Sequence, residues 1–72
     1  MFNAIKIKER KDPLLTRFDI YETENGGDTW KYNGVLHFDP YIAEEFLNAM
    51  HHSRHIVIIE RDAQAVDDAK NN

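Results

Sequence analysis

The chain has no cysteine, and only three glycines and two prolines among its 72 residues. The missing thiols exclude a disulfide scaffold and a thiolate zinc site. The longest apolar run is Ile56-Val57-Ile58-Ile59, far short of the roughly 20 residues that span a bilayer, so no membrane is expected. There is no P-loop, no GxGxxG and no HExxH pattern. Ser53 is the only serine. His52 beside it points elsewhere on a helix, so no nucleophile–base pair is implied. The first residues, Met1-Phe2-Asn3-Ala4-Ile5-Lys6, turn charged at once and lack the apolar core of a secretion signal. A cytoplasmic setting without cofactor is the resulting expectation, and the reading is non-enzymatic.

What is present suits one small folded domain. Hydrophobic residues make up 42% and aromatics 11%, clustered rather than scattered, which argues against disorder. A chain this short buries only about 60% of the surface that its unfolded form exposes, so its stability is marginal. With disulfides excluded, self-association is the commoner remedy, and a homodimer is expected. The domain should occupy residues 1–60, followed by a polar, mobile tail over 61–72.

The net charge of −4 hides a segregation. Residues 1–17 carry Lys6, Lys8, Arg10, Lys11 and Arg17 against Glu9 and Asp12, a net +3. Residues 18–48 carry Asp19, Glu22, Glu24, Asp28, Asp39, Glu44 and Glu45 against Lys31, a net −6. Residues 49–72 come to −1. Such asymmetry steers partners and says nothing about fold.

Local patterns predict the order β-β-β-α-β. Ile5 and Ile7 alternate with Lys6 and Lys8 over residues 2–10, until Pro13 ends the run. Residues 15–23 alternate again, with Phe18 and Ile20 pointing to the core. Asn25-Gly26-Gly27 then supplies a hairpin turn. In the return strand over 29–38, parity puts Trp30, Tyr32, Leu36 and Phe38 on one face, and Asn33-Gly34 reads as a bulge in one long strand, with a second hairpin turn as the alternative. Asp39-Pro40 starts a helix, as a capping carboxylate followed by a residue whose missing N–H costs nothing there. Ile42, Ala43, Phe46, Leu47, Ala49 and Met50 form its apolar stripe over about 40–52. The aliphatic run at 55–60 predicts a strand with neighbours on both sides. The fold class is α+β: a small antiparallel sheet of about four strands with one helix packed on one face.

Three constellations bear on function. Trp30, Tyr32 and Tyr41, ringed by Glu22, Glu24, Asp28, Glu44 and Glu45, have the composition of a protein-binding anchor and suit a basic partner. This favours a small interaction or regulatory protein that binds and modulates, or inhibits, another protein. The alternative is a nucleic-acid-binding domain that uses Lys6, Lys8, Arg10, Lys11 and Arg17 on phosphates, with Tyr21 or Trp30 to stack a base. The plainer reading of those cations is an edge strand guarded by its lysines. Third, His51 and His55 lie four apart, and His37, Glu60 or Asp62 would complete a metal-ligand set. A two-histidine nuclease-like site from His37 and His51 or His55, with phosphate held by Arg54 or Lys31, is the catalytic version. The plain reading is that the histidines suit a helix C-terminus.

Overall fold

A computed structural model describes residues 2–61. Strands β1 (Ala4–Lys11), β2 (Thr16–Thr23) and β3 (Lys31–Phe38) form an antiparallel meander. Helix α1 (Pro40–His51) then crosses the sheet, and β4 (Ile56–Glu60) pairs with β1 in parallel. The sheet order is β3-β2-β1-β4. The expected element order and the α+β class are therefore present, with a mixed sheet in place of a purely antiparallel one. The cause is the crossover. The helix carries the chain back across the sheet, so β4 runs in the direction of β3, which is also that of β1. Apart from Arg61, the tail expected over 61–72 lies outside the described residues.

The order also corrects two expectations. β1 is interior, paired to β2 and β4, so its lysines do not guard an edge. β4 is itself an edge strand and has one neighbour, although its aliphatic run suggested two.

The helix starts as its residues require. Asp39 Oδ1 accepts from the backbone N–H groups of Tyr41 at 3.0 Å and Ile42 at 3.1 Å, which satisfies donors that have no partner within the helix. Ala43 and Leu47 face the sheet and close over Ile7 and Phe18 to form the buried core. Ile5, Ile20, Phe38, Phe46, Met50, Val57 and Ile59 pack around it. Phe18, Phe38 and Phe46 meet ring to ring, with centroids 5.1–6.1 Å apart. The helix leaves part of β3 uncovered. Leu36 stays 40% exposed and borders an apolar groove of about 320 Å³ with Ile20, Gly34, Phe46 and Met50. Among the described residues, no helix is long and apolar enough to cross a membrane.

A bulge decides which β3 side chains share a face. The register against β2 shifts between Ile20 and Tyr21, so Gly34 opposes Ile20 and Tyr32 opposes Tyr21. Asn33 is the extra residue, and Gly34 takes a φ of +131°, a conformation that glycine reaches without a Cβ penalty. The bulge expected at Asn33-Gly34 is present, and it inverts the parity. Leu36 and Phe38 point to the helix, whereas Tyr32 points away from it, opposite to the simple count.

Candidate functional site

Among the described residues, the helix covers one side of the sheet and no element covers the other, the open face. Period-two alternation puts Lys6, Lys8 and Arg10 of β1 on the open side. Arg17, Asp19 and Tyr21 of β2 join them, with Tyr32, Val35 and His37 of β3. Ile56, Ile58 and Glu60 of β4 complete the face.

Read across the strands, the face is a set of rows. Ile58, Lys6, Tyr21 and Tyr32 form one row. Glu60, Lys8, Asp19 and Val35 form the next. Arg10, Arg17 and His37 form the last. One end is aromatic and apolar, and the other is cationic.

The rings are held in place. Tyr21 and Tyr32 meet edge to face, with centroids 5.3 Å apart. The Tyr32 hydroxyl donates to Asp19 Oδ1 at 3.2 Å. Lys6 Nζ stands 4.4 Å from the centre of the Trp30 ring, and Lys8 Nζ stands 5.3 Å from that of Tyr21, both within cation–π range. The Trp30 ring lies beside Gly27 of the β2–β3 loop, which is itself ordered by hydrogen bonds. There Thr23 Oγ1 accepts from Gly27 N at 3.0 Å, and Asn25 Oδ1 accepts from Thr29 N at 3.0 Å. Gly26 and Gly27 have φ of +73° and +99°, so the Asn25-Gly26-Gly27 signal marks a real turn within a longer loop.

The charges on this face are partly compensated. Arg17 donates to Asp19 Oδ1 through Nε at 3.2 Å and Nη2 at 3.0 Å. That hydrogen bond, then the Asp19 charge, raises the Arg17 pKa above its ordinary value. Lys6 and Lys8 lie 3.9 and 4.0 Å from the Glu60 carboxylate. Arg10 has no such carboxylate among the described residues, and Arg17 stands directly opposite it. A polar hollow of about 280 Å³ opens beside Lys8, Arg10, Asp19, Tyr21 and Glu60.

The structure sorts the residues singled out from sequence. Trp30 and Tyr32 come together, but on the open face among cations. Glu22 lies on the other side of the sheet, opposite Lys31 and Ile5. Glu24 and Asp28 sit exposed in the β2–β3 loop. Tyr41, 73% exposed, lies in the first turn of α1, so it does not join the other two rings. The expected acidic ring around one aromatic patch is therefore dispersed, because the bulge turned Tyr32 and Trp30 to the other face. Lys6, Lys8, Arg10 and Arg17 do share one surface, whereas Lys11 opposes Thr16 on the helix side.

The three histidines do not converge. His37 lies near the β3 end that leads into α1, His51 ends α1, and His55 precedes β4. Among the described residues, no three His, Asp or Glu side chains are grouped as a metal ion needs. Arg54 and His55 lie between α1 and β4, away from His37, so the two-histidine phosphate site is not assembled either.

Tyr21, named with the basic strand as a stacking ring, is the centre of the aromatic row; Asp19, which orients Tyr32 and Arg17, went unnoticed in the sequence. The signal for Asp19 was the alternation of β2, read across to β1 and β3.

No protein-family model matches the chain, and neither the curated proteins nor the solved structures yield a significant match.

Proposed function

We propose that this is a non-enzymatic interaction protein that binds and modulates another protein through the open face of its sheet. The observation that carries the reading is the set of ordered aromatic rings on a face that no described element covers. Tyr32 is 50% exposed, yet its ring and hydroxyl are held by Tyr21 and Asp19. Tyrosine, tryptophan and arginine dominate binding hot spots, and rings already fixed lose little entropy on docking. Ile56 and Ile58 add exposed aliphatic surface on the same face.

The test is affinity capture from cells that express the protein, with wild type, Tyr32→Ala and Trp30→Ala compared by quantitative mass spectrometry. Loss of the same specific partner from both variants supports the reading. Equal recovery of every partner by all three forms removes it.

One observation favours a second reading, nucleic-acid binding: four cations, Lys6, Lys8, Arg10 and Arg17, share their face with three aromatic rings. Such a platform can stack bases and track phosphates. Binding to a mixed oligonucleotide pool that weakens steeply with salt is its signature.

A further inference from the structure

We infer that the partner presents an acidic, extended polypeptide segment to the open face, with carboxylates on the Arg10–Arg17–His37 row and an apolar side chain on the Tyr21–Tyr32 row. This rests on the open face being the binding surface.

The cationic row is the first argument. Arg10 and Arg17 are directly opposed across β1 and β2, and like charges in that position destabilise a sheet. Arg17 is shared with Asp19, but Arg10 has no carboxylate partner among the described residues. His37 extends the row onto β3. An arriving carboxylate relieves this repulsion, and guanidinium groups bind carboxylates through paired, directional hydrogen bonds.

The spacing is the second argument. Arg10 lies four positions along β1 from Lys6, which is in the aromatic row. At about 3.3 Å per residue this is about 13 Å. An extended segment lying along β1 and β2 therefore bridges the rows with an apolar residue four positions from its acidic ones.

Three features favour a polypeptide over a nucleic acid. Asp19 and Glu60 stand between the two rows and oppose a continuous phosphate backbone. Lys6 and Lys8 are already close to Glu60. Ile56, Ile58 and Val35, all exposed on this face, suit aliphatic side chains.

The test is a titration of isotope-labelled protein, followed by amide shifts. Its probe is a short synthetic peptide with an Asp-Asp pair four residues from a Leu. The controls are the Asn-Asn version of the peptide and a single-stranded oligonucleotide of equal length. Shifts confined to the open-face strands are expected, with binding at least about tenfold weaker for the Asn-Asn peptide and for Arg10→Gln. Arg10→Gln is expected to keep the wild-type amide spectrum elsewhere, since the side chain is exposed. Equal binding of the two peptides overturns the inference, and so does preferential binding of the oligonucleotide to the same face. If the acidic peptide fails while Tyr32→Ala still loses its cellular partner, the acidic chemistry is wrong and the binding face stands.

Discussion

Arg61 forks onto Glu9 across 52 positions of sequence, with Nε 3.0 Å from Oε1 and Nη2 2.7 Å from Oε2. The same Nη2 donates to Glu44 of α1. One guanidinium thus ties the end of β4 to the interior strand and to the helix. The Glu9 side chain is only 1% exposed, and the two carboxylates raise the Arg61 pKa still further above its ordinary value.

Arg61→Ala therefore leaves a buried carboxylate without its guanidinium. We expect a loss of about 2 kcal/mol, below the range for fully buried pairs because Arg61 itself is partly exposed. In a domain of this size that lowers Tm by roughly 10 °C. Urea unfolding measures it. The double variant Glu9→Leu with Arg61→Met should recover most of the loss, whereas an unchanged Arg61→Ala midpoint would show that the clasp contributes nothing.

The same contact carries a pH dependence. The Arg61 hydrogen bond, opposed by some desolvation, holds the Glu44 carboxyl below the ordinary Glu value of 4.5. A carboxylate with a depressed folded-state pKa stabilises the protein above its unfolded value, and that contribution fades as pH falls through the folded one. Glu44 is exposed, so the effect is small. Glu44→Gln should flatten the acid limb of the stability profile below about pH 4.5 and slightly lower the plateau at neutral pH. Superimposable profiles would refute the link.

Asp39→Ala removes the side-chain oxygen that accepts from Tyr41 and Ile42. The expected cost is about 1 kcal/mol, with Asp39→Ser close to wild type. Chemical denaturation of the three forms checks the ranking, and equal costs for Ala and Ser would contradict it.

Gly34→Ala tests the bulge. No atom lies within 4 Å of a Cβ added there, so any cost comes from the φ of +131° alone. We expect a loss of about 1–2 kcal/mol. A neutral or stabilising result would mean that the backbone at Gly34 does not hold this conformation in solution.

Much of this fold was legible because its signals are local. Asp39-Pro40 marks the helix start through one side-chain oxygen and one missing N–H. Phe18 and Ile20 point to the core because β2 alternates without interruption. The bulge at Asn33-Gly34 was readable too, yet one added residue reverses the face of everything before it. A parity count run through it therefore places Tyr32 beside Leu36 and gathers the wrong residues around Trp30. The direction of β4 had no local mark, since Ile-Val-Ile-Ile reads alike in a parallel or an antiparallel neighbour. The Glu9–Arg61 pair and the Arg10–Arg17–His37 row depend on register between distant segments, which composition does not encode.

The central claim is that the open sheet face receives the partner, and site-specific photocrosslinking in cells that express the protein tests it most directly. A photoreactive residue in place of Val35, exposed on the open face, is compared with one in place of Glu45, exposed on the helix. A crosslinked product from position 35 and none from position 45 is predicted. Crosslinking from position 45 alone would contradict the account.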